Sequence, residues 1–192
     1  MERKPFFYDI TLRDGNQALK KPWNLEEKEK IFNTLIDLNV DGIEIGFPHA
    51  SNMDFESTKY LASLAPKNIV VSGLARTKKE DIENCNKAIS EAYQPRIHTF
   101  VTLSPFHLKY VLNRSYEEVS KNAIEAVKYA RSILKKDGEI EFSVEHFGDC
   151  SENIDDVIKT LNQIVLAGAT IINLPNTVER YRPKHIIDMV EK

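Results

Sequence analysis

Short apolar runs alternate along this chain with longer amphipathic stretches. The apolar runs at Phe6–Thr11, Gly42–Gly46, Asn68–Leu74, Arg96–Leu103, Glu139–Val144 and Thr170–Leu174 predict strands. The stretches between them, Leu25–Asn39, Asn52–Ala65, Lys78–Glu91, Tyr116–Lys135 and Glu152–Ala167, predict helices, and a further helix begins near Pro183. Within Tyr116–Lys135, the residues Val119, Ala123, Ile124, Val127, Ala130 and Leu134 recur at three- and four-residue steps, which makes one stripe for burial. Start signals support the helices. Asn24 is an N-cap residue type, Thr77 with Glu80 and Ser115 with Glu118 have capping-box spacing, and Pro183 suits a first helical turn. Gly138 and Gly168 punctuate the passage from helix to strand.

Strict alternation of strand and helix implies a parallel sheet with right-handed crossovers. A doubly wound sheet would be complete at this length, whereas a (β/α)8 barrel needs about 250 residues. The polar residues decide between them. Arg13-Asp14, Glu44, His98, Ser143 with Glu145, and Thr177 all fall at or just beyond the C-terminal ends of different predicted strands. In a barrel those ends converge on one site, whereas a doubly wound sheet gathers its ligand contacts near one switch point. No glycine-rich dinucleotide or phosphate-loop motif follows the first strand. The expected fold is therefore α/β, a (β/α)8 TIM barrel that is incomplete at about six β/α units. Residues 1–192 read as the N-terminal portion of a single catalytic barrel domain that stops inside its sixth helix.

Composition narrows the function classes. The 192 residues carry a net charge of -3, 42% hydrophobic and 29% charged residues, an ordinary balance for a soluble domain and a poor one for nucleic-acid binding by bulk charge. No apolar run approaches the roughly 20 residues that cross a bilayer. The start, Met1-Glu2-Arg3-Lys4-Pro5, leads into only a few apolar residues and shows no secretory signal. Cys85 and Cys150 are too few and too far apart for a disulfide framework or a zinc ribbon, as expected of a cytoplasmic protein.

The densest chemistry lies in Asp9-Ile10-Thr11-Leu12-Arg13-Asp14-Gly15-Asn16-Gln17. A guanidinium, a carboxylate, a glycine and an amide follow an apolar strand directly. Arg13 can hold a carboxylate or a developing oxyanion in two-point fashion, and Asp14 offers oxygen ligands to a divalent cation. Glu44 stands between two isoleucines, where it would point into a barrel and either pair with Arg13 or orient a ligand. His98, within Arg96-Ile97-His98-Thr99-Phe100, is either a satisfied core histidine or a ligand contact, and His107 is either a site residue or an ordinary loop residue. Ser143 and Glu145 are two apart and therefore share a strand face, which suits proton handling if that face is inward. Pro175 ends the last predicted strand and Thr177 places a hydroxyl at its rim.

The first of these strings resembles the signature of the metal-dependent Claisen-condensing and lyase barrel superfamily. Further blocks match in order: Ile43-Glu44-Ile45-Gly46-Phe47-Pro48, Arg96-Ile97-His98-Thr99-Phe100, Phe142-Ser143-Val144-Glu145, and Ile172 to Glu179. Together they resemble the 2-isopropylmalate synthases within that superfamily most. The resemblance implies an acyltransferase that condenses acetyl-CoA with the 2-keto acid 2-oxoisovalerate, the first committed step of leucine biosynthesis. It implies a divalent metal ion (Mg2+, Mn2+ or Zn2+) with Asp14 as a ligand, and Arg13 and Glu145 as catalytic residues. It places Arg13, Gln17, Glu44, His98, Ser143, Pro175 and Thr177 against substrate. It also implies small-molecule partners, no nucleic acid, no membrane, and a homodimer for the full-length enzyme. Two features depart from the superfamily pattern. The His-x-His metal pair is absent, the five histidines being scattered, and Val144-Glu145-His146-Phe147 replaces the commoner Glu-Asp-Ala wording. A homocitrate or citramalate synthase, a hydroxymethylglutaryl-CoA-type lyase, and a non-catalytic partial barrel are the alternatives.

Overall fold

The computed structural model describes residues 4–178 and 180–192; Met1, Glu2 and Arg3 of the N-terminal reading, and Glu179 at the end of the last matching block, lie outside them. Six strands form one parallel sheet in sequential order β1-β2-β3-β4-β5-β6. They are β1 (Tyr8–Asp9), β2 (Gly42–Gly46), β3 (Val70–Arg76), β4 (Gln94–Thr102), β5 (Glu139–Glu145) and β6 (Ile171–Asn173). The helices are α1 (Leu25–Asp37), α2 (Asn52–Leu64), α3 (Lys79–Ile89), the short α4 (Pro105–His107), α5 (Tyr116–Ile133), α6 (Ile154–Ala167) and α7 (Pro183–Val190). Sequential order with every neighbour parallel is the arrangement of a β/α barrel, not of a doubly wound sheet. The six units make an incomplete barrel, with β1 and β6 at its two edges among the described residues.

The apolar packing lies between the sheet and its helices. One cluster joins Leu12, Ile43 and Ile45 to Phe32 and Leu61, and the other joins Ile97, Ile140, Phe142 and Val144 to helix residues such as Ile82, Val127 and Val157. The odd-numbered apolar residues of β4 thus face the helices, and the even-numbered Arg96 and His98 face inward by the period-two rule. The α5 stripe is buried as its spacing predicts at Val119, Ala123, Val127 and Ala130, with Ile124 packed at its margin.

Local signals explain most boundaries. Asn24 forms a complete capping box with Glu27, and the Ser115 hydroxyl accepts the Glu118 N–H. Ser51 caps α2. Gly168 ends α6 at a φ of 119°, a left-handed backbone that suits glycine.

Two expectations fail. The Phe6–Thr11 strand is reduced to Tyr8–Asp9, with Phe6 and Phe7 exposed, because the Asp9 carboxylate accepts both the Thr11 N–H (2.8 Å) and the Thr11 hydroxyl (3.1 Å). That local bond turns the chain out of the strand into a π-helical turn, Thr11–Gly15, which carries Arg13 and Asp14. Thr77 does not cap α3. The N-cap is Lys78, without a side-chain bond, because the Asp81 carboxylate is held by Arg76 at 2.6 Å and fixes the entry to the helix.

Gly168→Ala should lower stability by about 1–2 kcal/mol, the cost of a left-handed non-glycine residue, with Arg131 Cγ only 2.8 Å from the added methyl. Urea unfolding of wild type and variant measures this; an unchanged midpoint would mean that the turn relaxes without strain.

Candidate functional site

The site is assembled at the C-terminal ends of the strands around one carboxylate. Glu44, on β2, has no exposed surface. Its Oε1 accepts from Arg13 Nε at 2.5 Å, and its Oε2 lies 2.5 Å from His98 Nδ1 and 3.2 Å from the Tyr8 hydroxyl. Tyr8 also bonds Ser72, and His98 Nε2 lies 2.7 Å from Ser143 Oγ. A chain of polar contacts therefore runs from the π-helical turn through β2 and β4 to β5. Below it, Arg96 reaches Glu141 at 3.1 Å and Glu139 at 2.7 Å, and Asn173 donates to the other Glu141 oxygen at 2.9 Å.

Charge balance governs this interior. Burial alone would push the Glu44 carboxyl up, but the hydrogen bond and charge of His98, with Arg13 beside it, hold it below the usual carboxylate range. Burial alone would discharge His98, but Glu44, joined by the charge of Glu141, raises its pKa above the ordinary imidazole value. Each partner thus favours the charged form of the other, Glu44 as carboxylate and His98 as imidazolium. Glu145 behaves differently. Burial pushes its carboxyl up, and the positive charge of His98, Arg13 and His107 only partly offsets this. A carboxyl whose pKa is raised in this way is better suited to holding a proton than an ordinary carboxylate is.

Above the network opens a cavity of about 540 Å³. Of the residues expected at the site, Arg13, Asp14, His98, Ser143, Glu145, Pro175 and Thr177 line it together. Two expected residues do not. Glu44 is sealed beneath the cavity and reaches it through Arg13, His98 and Tyr8. Gln17 is exposed, its Oε1 3.5 Å from Arg13, and lines a separate cavity of about 320 Å³ between the π-helical turn and α2. Arg13 lines both cavities and so stands between them, with Gln17 on the side of the smaller one. The structure also adds Tyr8, Leu74, Phe100 and Asn173 to the lining, and Glu141 and Arg96 to its support. A signal for Glu141 was available: Glu139, Glu141, Ser143 and Glu145 share one strand face, so the inward pair extends back along β5, and Arg96 likewise shares a face of β4 with His98.

At the rim, His146 follows Glu145 with a φ of 58° and stacks on His107 at 3.7 Å, while its backbone N–H donates to the Thr177 hydroxyl at 3.2 Å. Thr177 is thereby fixed beside Glu145.

For a divalent metal, the residues supply one carboxylate. The Asp14 side chain is 59% exposed at the cavity mouth, with Oδ1 accepting from Arg13 at 2.5 Å. Among the described residues no group of three His, Cys, Asp or Glu side chains could hold a metal ion. Asp14 alone does not make a metal site.

A sequential parallel sheet with a polar cluster at the strand C-termini defines a β/α-barrel protein. The HMGL-like family profile matches residues 4–192, and the chain belongs to that family. A 2-isopropylmalate synthase of Leptospira interrogans is 49% identical over 97% of this chain and 44% of its own length. Another, from Caldanaerobacter subterraneus, is 39% identical over 98% of this chain and 46% of its own length. The chain thus spans less than half the length of these curated relatives. Among solved structures, the HMG-CoA lyase of Bacillus subtilis superimposes with a TM-score of 0.73 at 19% identity, covering 100% of this chain and 65% of that one. A second HMG-CoA lyase, from Acinetobacter baumannii in complex with coenzyme A and 3-methylmalate, gives 0.73 at 17% identity, covering 96% of this chain and 60% of that one. These likenesses establish the barrel fold.

Two predictions follow from the charges. Because its folded pKa is raised, His98 stabilises the fold fully below the unfolded value near 6.5 and loses that contribution as pH rises through the folded value. Glu44, lowered, contributes above its unfolded value near 4.5 and loses its share as pH falls through the folded value. The melting-temperature gap between wild type and His98→Asn should therefore be widest between these values and shrink on going to about pH 9. A gap that is constant with pH would mean that the pair is not ionised. Separately, the chain should bind Mg2+, Mn2+ or Zn2+ only weakly in calorimetric titrations, since one carboxylate leaves most coordination positions to water. Tight stoichiometric binding would place the ligand set elsewhere.

Proposed function

We propose that this chain is the N-terminal part of the catalytic barrel of a 2-isopropylmalate synthase-type acyltransferase, which joins acetyl-CoA to 2-oxoisovalerate and releases CoA. The observation that carries the reading is the 49% identity over 97% of this chain to a protein of that name. The gathering of Arg13, His98, Ser143, Glu145 and Thr177 around one cavity supports it.

In this reading the thioester methyl loses a proton, and the resulting enolate carbon attacks the carbonyl carbon of the keto acid. The former keto oxygen becomes an alkoxide that must be stabilised and then protonated. Water cleaves the thioester and makes the sequence irreversible. Arg13 is the group that faces the alkoxide. Its Nε is anchored to Glu44 and its NH1 to Asp14, so the guanidinium is oriented before substrate arrives. Glu145, with its carboxyl pushed up by burial, handles a proton in the same cavity. Ser143, held by His98, and Thr177, held by the His146 N–H, present hydroxyls to the keto acid. Asp14 is the ligand that this chain would bring to a divalent metal, and the remaining ligands would come from outside these residues.

Among the described residues no helix is long and apolar enough to cross a membrane. Cys85 and Cys150 are free and buried, which supports a cytoplasmic setting. A homodimer of the complete enzyme belongs to the same reading.

In the complete enzyme, Arg13→Lys should reduce kcat by about 10²–10³ while the KM for 2-oxoisovalerate changes little. Lysine keeps the charge but loses the planar fork that Glu44 and Asp14 orient. Steady-state kinetics with both substrates tests this, and a variant with near-wild-type kcat and only a raised KM would reduce Arg13 to a binding role.

A further inference from the structure

His107 and His146 take no part in the condensation chemistry, yet they meet at the cavity rim. Their imidazole rings stack in parallel, with centroids 3.7 Å apart and planes 9° from each other. His107 Nδ1 lies 3.2 Å from the Ser104 hydroxyl. His146 holds a φ of 58°, a backbone conformation that few residues other than glycine adopt. The turn it makes joins the end of β5 to the segment after β6. The His146 N–H donates to the Thr177 hydroxyl at 3.2 Å, the Phe147 N–H donates to the Pro175 carbonyl at 3.1 Å, and Arg180 reaches Asp149 at 2.7 and 3.0 Å. Pro175 and Thr177 line the central cavity, as does Glu145 just before the turn. The two segments fit closely at Gly148, where an added Cβ would lie 2.6 Å from Asn176 Oδ1.

Two buried atoms of this turn, His146 Nδ1 and Asp149 Oδ2, have no hydrogen-bond partner among the described residues. Buried polar atoms are seldom left so. Their residues are already linked, since the Asp149 N–H donates to the His146 carbonyl at 2.9 Å. The charged groups around the stack oppose one another. Burial first, and then the charge of His107, hold the His146 pKa below the ordinary imidazole value; Asp149 acts against them and Arg180 with them. The charge of His107 also acts on the Glu145 carboxyl. On α7, His185 Nε2 lies 3.2 Å from the Gly148 carbonyl oxygen and so meets the turn at its backbone. Two imidazolium rings at stacking distance repel, so the stack favours carrying at most one proton.

We propose that the His107–His146 stack is an acid-operated latch at the rim of the central cavity. With at most one ring charged, it holds the end of β5 against Thr177. With both charged, the rings part, His146 Nδ1–H turns to Asp149 Oδ2, and the rim opens. The two unpartnered atoms are then the two ends of one charge-assisted hydrogen bond that exists only in the open state. The latch does not depend on which reaction the complete enzyme performs.

Amide hydrogen exchange, read by NMR on the full chain, tests it through the His146 N–H that Thr177 holds. In wild type the protection of this amide should fall roughly fivefold or more between about pH 7.5 and about pH 5, the lower end of coupling between two sites, while amides of β4 keep theirs. His107→Phe keeps a ring for stacking and removes its charge. In that variant the protection should persist at the acid end, and the His146 ring should titrate at a higher pH than in wild type. Wild-type protection that does not change with pH overturns the latch. So does an equal loss in His107→Phe, or a His146 titration that this substitution leaves in place. A loss shared by the β4 amides would be unfolding of the barrel and would overturn it as well.

Discussion

The Glu44 carboxylate, sealed on β2, is the constraint around which the rest of the interior is arranged. A buried carboxylate without partners would be neutralised or would unfold its surroundings. This one is kept charged by Arg13 from the turn after β1 and by His98 from β4, with the Tyr8 hydroxyl as a third contact. Each partner belongs to a different segment, so the single charge ties β1, β2 and β4 together on the inner face. It also spends the Nε edge of Arg13 and the Nδ1 edge of His98, leaving their other edges for Asp14, Ser143 and the cavity. Structural pairing and site orientation are thus the same contacts.

A polar interior is tolerated because the apolar stabilisation lies elsewhere. Both hydrophobic clusters pack the outer face of the sheet against its helices, and the inner face is left to ion pairs. Along β4 and β5 the inward residues form layers of alternating sign, with Arg96 against Glu139 and Glu141, and His98 against Glu44 and Ser143. Glu145 stands at the end of this series without an ion-pair partner among the described residues. Its burial therefore shows as a raised pKa instead of a salt bridge, which suits it to proton handling.

The order and type of the elements, the parallel sheet and most of the cavity lining were legible from the chain. Strand alternation assigns Arg96, His98, Ser143 and Glu145 to one face, and helix caps such as Asn24 and Ser115 are local bonds that do not depend on distant residues. The string from Asp9 to Gln17 marked the site before any geometry was known. Where local bonds competed, the reading failed: Asp9 turning the chain at Thr11, and Asp81 holding Arg76 at the start of α3, are short-range contacts that periodicity does not register.

Only the tertiary structure decided depth and neighbourhood. Alternation says which residues share a face, but not how far along the barrel axis each one sits; that is set by the register between strands, which aligns His98 with Leu74 and Glu141, and Ser143 with Phe100 and Asn173. Register placed Glu44 below the cavity instead of in its wall and brought Glu141 and Asn173 into contact. Side-chain identity and spacing are properties of the chain, whereas the Glu44 contact that raises the His98 pKa and the burial that raises that of Glu145 are properties of the packed barrel. The residue types and their order came from the sequence. The direction in which their pKa values shift came from the fold, because the energy of a charge depends on what surrounds it in three dimensions.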